Sequence, residues 1–392
     1  MSEISFLVGL KNNLEYSKKF YRFFRATFPQ EELVFVSFGS TDGTDEWLDS
    51  LQDGNLKHYH NSETKSLADT YNKAIETGTK KYVCFLHNDM VLGRNFVREI
   101  EKGLKINSLV YYKTVEPPIF AEDNRLWKEI KDFGTDFEDF DAAQFFEFEK
   151  ENLNSKGIFV ENSSFFLAAS KENLMKINGL DPLFKPMFCE DDDLILRLKL
   201  SGEKPYLFPS AIVYHFVSKT SRFSAEYVNT SQLIEKNSHR NFYRKWGFGN
   251  HSTHQNKRTY GLLLSNADLK SVTALEPFVT HIYSDYDSSE YIENEKEKTD
   301  FDLSEKFRNL SDTCSDDVIL KFNGNQLSEK NLNVFRNLND LIIARKSQNL
   351  KNTITNFLLP KSRMNFKIKV VEFIIQKENL LETNLIVRKS KW

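Results

Sequence analysis

Apolar and polar positions along the first ninety residues fall into alternating short and long blocks. Residues 4–10 form an apolar run of strand length, and residues 16–28 an aromatic stretch with helical spacing. A second strand is predicted over 33–38, closed by the turn-rich sequence Gly39-Ser40-Thr41-Asp42-Gly43-Thr44. A short helix over 45–51 and a third strand over 56–60 follow. Residues 66–78 place Leu67, Tyr71, Ala74 and Ile75 on one helical stripe. Residues 82–86 read as a buried strand that stops at His87-Asn88-Asp89. This β-α-β-α order predicts an α/β fold, a Rossmann-like, mainly parallel sheet with helices on both faces. Ligands of such sheets bind at the carboxyl ends of the strands.

The alternation breaks over 117–154, where acids and aromatics crowd together (Asp136-Phe137-Glu138-Asp139-Phe140, Phe145-Phe146-Glu147-Phe148). This segment reads as an insertion, a solvated helix and loop over a sheet edge. A strand is then expected over 158–168, a helix over 171–177 closed by Gly179, and a last strand over 206–216. A helix over 239–246 closes a first domain of residues 1–255, its His239, Arg240, Arg244 and Lys245 forming a solvated face. Residues 256–392 make a smaller C-terminal α/β domain. Its strands are expected over 260–265, 280–284 and 318–322, its helix over 329–338, and a hairpin over 366–376 and 384–389. The polar stretch 285–311 reads as a loop or linker. The strand order weakly resembles a methyltransferase-like domain, but Ser265-Asn266-Ala267-Asp268 stands where a glycine-rich cofactor loop belongs, so no methyl transfer is expected.

The 392 residues suffice for two domains and a substantial core. A formal charge of −3 and the lack of a basic stripe argue against nucleic acid as a partner. Cys84, Cys189 and Cys314 are few and widely spaced, which fits a reducing compartment and neither a disulfide framework nor a cysteine zinc site. The first residues read as a strand rather than a signal peptide, and no run approaches the ~20 apolar residues of a membrane span. A cytoplasmic protein is expected, with room for peripheral contact at the inner face of a membrane.

The densest chemistry lies over 178–202, where Glu190, Asp191, Asp192 and Asp193 precede an apolar run. Four adjacent carboxylates repel one another unless a helix N-terminus, a cation or a catalytic role offsets the repulsion. A plainer account is an acidic helix start with Asp193 paired to Arg197 one turn on. Alternating Leu194, Leu196, Leu198 and Leu200 would also suit a strand, but the acidic start and the Gly202 stop favour helix.

Together these segments resemble a family 2 glycosyltransferase of the nucleotide-diphosphosugar (GT-A) fold over about residues 1–250. Phe85-Leu86-His87-Asn88-Asp89 stands at that family's DxD motif. Gly179-Leu180-Asp181 through Glu190-Asp191-Asp192-Asp193 and on to Gly202 matches its glycine, ED-x-D, arginine and glycine pattern. Pro209 to Tyr214-His215 matches its closing strand, and Gly39 to Thr44 its nucleotide-site turn.

The resemblance implies an inverting transfer of a sugar from a nucleotide-sugar, a UDP-sugar first among the candidates, to a hydroxyl of a glycan or lipid-linked glycan. It implies Asp191 as general base with Glu190 in support, and Mn²⁺ or Mg²⁺ on the diphosphate, held by Asp89 and His215. Gly39, Ser40, Asp42, His87 and Asn88 would contact the donor, as would Lys219 and Arg222 from the loop after His215. Two departures stand out. Ser37 and Phe38 replace the acid that usually precedes the turn, and His87 replaces the first acid of DxD. Rival readings are a catalytically silent nucleotide- or glycan-binding module, a sugar-nucleotide pyrophosphorylase lacking its glycine-rich loop at Leu10-Lys11-Asn12-Asn13, and transfer to a protein or modified nucleic acid.

Overall fold

The computed structural model describes residues 2–119, 125–217, 226–255, 257–351 and 364–376. They fall into two compact units, one ending at Ile234 and the other starting at Glu235. The divide lies inside a helix, ahead of the boundary at 255 expected from the sequence.

The strands of the first unit are β1 (Ile4–Leu10), β2 (Glu32–Phe38), β3 (Leu56–Asn61), β4 (Tyr82–Leu86), β5 (Met90–Leu92), β6 (Leu109–Glu116), β7 (Lys128–Ile130), β8 (Ile158–Phe159), β9 (Leu167–Ser170) and β10 (Tyr206–His215). Its helices are α1 (Leu14–Thr27), α2 (Thr44–Ser50), α3 (Leu67–Thr77), α4 (Phe96–Ile106), α5 (Ala142–Glu151), α6 (Lys171–Lys176) and α7 (Glu190–Leu200), and α8 (Ser231–Trp246) carries the divide. The sheet order is β3-β2-β1-β4-β9-β6-β10-β5, with β7 on β6 and β8 on β10.

β1 and β2 are buried on both sides, as parallel strands covered by helices must be. Ile4, Phe6, Val8 and Leu10 pack into one core with Phe20 and Phe24 of α1, whereas Leu7 and Val34 face a second core with Tyr71 and Ile75 of α3. The period-2 alternation of strand side chains thus feeds two cores, and helices lie on both faces. The α/β fold expected from the sequence is the one observed.

Strand direction decides where the loops go. β4 runs parallel to β1, β9 antiparallel to both β4 and β6, and β10 parallel to β6. The carboxyl ends of β1, β4, β6 and β10 therefore share one edge of the sheet. That edge receives Lys11, His87 to Asp89, Glu116 and His215.

Some expectations need correction. The strand over 158–168 is two short pieces, β8 and β9, because Asn162-Ser163-Ser164 interrupts the run. The insertion is no solvated cover: Phe133, Phe137, Phe145 and Phe148 are buried in the first core. Most of its described acids are exposed while its aromatics supply packing, and the one of them that is deeply buried, Glu149, accepts the Arg94 and Asn95 N–H groups at 3.0 and 2.7 Å.

In the second unit β11 (Tyr260–Ser265), β12 (His281–Tyr283), β13 (Phe307–Arg308), β14 (Val318–Asn323), β15 (Met364–Ile368) and β16 (Val371–Ile375) form a six-stranded sheet, order β13-β12-β11-β14-β16-β15. The helices are α9 (Leu269–Leu275), α10 (Ser289–Glu295), α11 (Glu329–Arg336) and α12 (Leu338–Lys351). β15 and β16 form a hairpin within 364–376, and the expected strand over 384–389 is outside the described residues. The stretch 285–311 holds α10 and β13 instead of a plain linker. Arg240 and Arg244 do not form a solvated face. Arg244 is almost wholly buried and pairs with Glu276 at 2.7 Å and Glu295 at 2.6 Å.

Candidate active site

β4 ends on His87-Asn88-Asp89, and the chain turns at once into β5, which pairs antiparallel with β10 in the register Met90 to His215. Asp89 is thereby set against the end of β10, and its carbonyl accepts the Phe216 N–H at 2.9 Å. The side-chain amide of Asn88 donates to Ser17 Oγ at 2.9 Å, fixing the same turn to α1. The outcome is a cluster in which ligand atoms of His87, Asp89 and His215 all lie within 4.8 Å of one another.

His215 sits between two carboxylates. Its Nδ1 is 3.1 Å from Glu116 Oε1 and its Nε2 is 3.3 Å from Asp89 Oδ1. Glu116 is itself held by Lys128 at 2.6 Å. Burial works against an imidazolium here, but Asp89 and Glu116 outweigh it and push His215 up to about 10. Burial pushes His87 the other way, down to about 4, against the pull of Asp89. The pocket thus demands positive charge beside Asp89, from a proton or from a cation.

The donor set fits a divalent ion. His215 Nε2 is buried and makes no hydrogen bond. In the neutral imidazole, with Nδ1–H given to Glu116, the Nε2 lone pair would point toward Asp89, the carboxylate–histidine arrangement that orients metal-bound imidazoles. Two imidazoles and one carboxylate suit Mn²⁺ better than Mg²⁺, which prefers oxygen.

A cavity of about 280 Å³ opens over this cluster, lined among others by Lys11, Tyr71, Phe165, Phe166, Glu190 and His215. Glu190 opens α7 after Phe188 and Cys189, both at positive φ (77° and 67°). Non-glycine residues in that region are strained, and such strain persists only where surrounding contacts enforce it. The loop before α7 is held from α3, where the Asn72 side chain bonds both the N–H and the carbonyl of Leu180 at 2.8 Å.

The four acids diverge in role. Asp193 is fully buried and binds Arg197 at 2.7 Å, as the i,i+4 spacing predicts. Glu190 Oε2 is buried without a hydrogen bond. Burial, with Asp191 beside it, pushes its carboxyl well above the ordinary range. Asp191 is pushed up to about 7 by burial and by Asp192. Glu190 lines the cavity and Asp191 does not.

The structure brings His87, Asn88, Asp89, Glu190 and His215 to one cavity. Gly39, Ser40 and Asp42 are not among its lining residues. Ser40 Oγ accepts the Asn12 N–H at 2.8 Å, and Asp42 accepts the Leu14 N–H at 2.8 Å and the Thr44 hydroxyl at 2.6 Å. They tie the turn to the loop after β1. Gly39 has φ 67°, and a Cβ there would come within 3.0 Å of the Thr64 backbone, so only glycine fits. Lys219 and Arg222 lie outside the described residues. Sequence reasoning passed over Lys11, Phe165, Phe166 and Glu116. Only Glu116 had a signal, as the acid that ends a strand.

The pattern of the glycosyltransferase like family 2 matches residues 11–252, more than half of the chain. The chain belongs to this family. It is a glycosyltransferase, then, and the cluster at the strand ends lies within the matched region. No curated protein matches the sequence. Similar solved structures include GalNAc-T7 with UDP, GalNAc and Mn²⁺, at 13% identity and TM-score 0.41, covering 54% of this chain and 42% of that one. Residues 1–349 of TarS from S. aureus are similar at 13% identity and TM-score 0.42, covering 63% and 74%. The same TarS fragment with UDP-GlcNAc gives 12% identity and TM-score 0.41, covering 61% and 70%. Among the described residues no helix is long and apolar enough to cross a membrane.

Proposed function

We propose that this glycosyltransferase moves a sugar, with inversion, from a nucleotide-sugar to a hydroxyl of a glycan or lipid-linked glycan, using a UDP-sugar as donor and Mn²⁺ as cofactor. The observation that carries the reading is His215, buried between Asp89 and Glu116 in the lining of a cavity that Glu190 also lines. A divalent ion there, held by Asp89, His215 and His87, would neutralise the diphosphate that leaves with the nucleotide. Lys11 adds a second positive charge to the cavity. Phe165, Phe166 and Tyr71 offer aromatic faces to the donor.

Glu190 and Asp191 divide the work. Glu190, whose carboxyl is pushed well above the ordinary range by burial and by Asp191, lines the cavity and contacts the sugar as a supporting group. Asp191, near 7, accepts the acceptor's proton as the hydroxyl attacks the anomeric carbon. A base matched to the working pH contributes about 10²–10⁴-fold. The test is a pair of variants scored for nucleotide release and donor binding with Mn²⁺. Asp191→Asn should lose transfer by at least a hundredfold and keep donor affinity, while Glu190→Gln should lose far less. The reverse ranking would give the base role to Glu190, whose carboxylate faces the cavity. Activity retained in both would overturn the assignment altogether.

A further inference from the structure

A second convergence of metal-ligating side chains lies on the first unit, away from the cavity. His58 and His60 alternate along β3, the edge strand of the ten-stranded sheet, and so project from the same face. Their rings stack with planes 4° apart and centroids 6.2 Å apart. Both Nε2 atoms approach one carboxylate oxygen, Asp49 Oδ1 near the end of α2, at 3.1 Å and 3.0 Å. Behind His60, Nδ1 lies 3.6 Å from Asp45 Oδ2, and Asp45 is anchored by the Ser37 hydroxyl at 2.6 Å. Among the described residues this is one of two groups of three or more ligating side chains, the other being the His87, Asp89 and His215 cluster.

We propose that Asp49, His58 and His60 form a structural site for a transition-metal ion of the Zn²⁺ class, clamping α2 to the edge of the sheet. His60 meets a carboxylate on each side, and a neutral imidazole has only one N–H to offer. A divalent ion at Nε2, with Nδ1–H turned to Asp45, satisfies both sides at once. It is also the carboxylate–histidine–metal arrangement found at resident sites. The spacing suits such an ion. Zinc–nitrogen and zinc–oxygen bonds of ~2.0–2.2 Å put ligand atoms about 3.3 Å apart in a tetrahedron; the two imidazole–carboxylate separations are 3.0 and 3.1 Å, and all three ligand atoms lie within 4.8 Å of one another. Two imidazoles and a carboxylate select Zn²⁺, Co²⁺ or Ni²⁺ over Mg²⁺ or Ca²⁺. Water would complete the shell, since all three side chains are partly exposed. Among the described residues β3 has a strand partner on one side only, and the ion would tie it to α2.

The test uses the full chain stripped with a chelator and then titrated with Zn²⁺ by calorimetry and with Co²⁺ by visible absorption. An Asp89→Ala background removes the cavity cluster from the count. One equivalent should bind in that background, and adding His60→Gln should weaken it at least tenfold. Asp45→Asn should weaken it by about 10–100-fold, the usual effect of losing a histidine's carboxylate partner. Should Asp89→Ala fail to fold, His58→Gln/His60→Gln in the native chain should lower the stoichiometry by one and abolish part of the Zn²⁺-induced rise in Tm. No Zn²⁺ bound in the Asp89→Ala chain, or equal affinity and stoichiometry after loss of the histidines, would overturn the proposal.

Discussion

Glu116 Oε1 and His215 Nδ1 stand 3.1 Å apart although 99 residues separate them in the sequence. The contact exists because β6 and β10 run parallel as neighbours and end on the same edge of the sheet. It fixes the imidazole so that Nε2 faces Asp89. Glu116 touches no substrate in the proposed reaction and acts by positioning His215.

Glu116→Gln keeps the shape of the side chain and removes its charge. We expect Mn²⁺ affinity to fall by about 10–100-fold, as for other carboxylate partners of metal-binding histidines. Nucleotide affinity in EDTA should stay unchanged. Mn²⁺ titration followed by electron paramagnetic resonance reads the first quantity and calorimetry the second. Equal Mn²⁺ affinity in the variant would remove Glu116 from the site.

Asp191 yields a pH prediction with a definite sign. Its folded-state value is raised from 3.8 to about 7, so between those values the native chain holds a proton that the unfolded chain has released. Stability therefore falls as pH rises through that window, and the loss is complete above about 7. Asp191→Asn removes the penalty. Its Tm should exceed that of the wild type at about pH 8, and the two should converge near pH 4. The wild-type transfer rate should meanwhile drop about tenfold per pH unit below about 7, as the base is protonated. A variant less stable than wild type at pH 8 would contradict the burial of this carboxyl.

The fate of particular segments shows what the sequence could disclose. β1 and β4 were legible because a strand buried on both faces leaves an apolar run with few rivals. The helix at Glu190 was legible because an acidic start and a glycine stop bracket it, which overruled the strand-like alternation of its leucines. β6 escaped notice because LVYYKTVE mixes charge with apolar residues next to the insertion, and Glu116 resembles any strand-end acid until β10 is placed beside it. The insertion's phenylalanines looked superficial for the same reason, since their partners lie on β10 and α1. Arg244 read as solvated because its partners Glu276 and Glu295 come later in the chain. Local patterns report local structure, and contacts across a sheet stay silent until the strand order is known.

Tyr214 shows how the insertion is held. Its hydroxyl accepts the Phe133 N–H at 3.0 Å and donates to the Gly134 carbonyl at 2.6 Å, so one side chain satisfies two backbone groups. Tyr214→Phe preserves the ring packing against Phe140 and Phe145 but leaves both groups without that partner. Buried groups stranded in this way cost about 1–3 kcal/mol. Urea unfolding should show a loss in that range, and a change under ~0.5 kcal/mol, typical of a surface site, would mean that water replaces the hydroxyl.

In the second unit Glu276 is fully buried and gathers Lys306, Arg244 at 2.7 Å and the Tyr291 hydroxyl at 2.7 Å. Burial alone would raise its carboxyl, but Lys306, Arg244 and Arg240 hold it far below the ordinary range. The stability it contributes is thus present above the ordinary carboxylate value and is lost only in strong acid. Removing one member of a buried network leaves the others charged and uncompensated, at a cost of about 3–5 kcal/mol, whereas removing a balanced pair costs much less. Glu276→Gln should accordingly destabilise more than Glu276→Gln combined with Lys306→Met, although the double variant loses more contacts. Denaturant unfolding of the full chain, followed by circular dichroism, provides the comparison. If the double variant is the less stable of the two, packing rather than charge balance holds this cluster together.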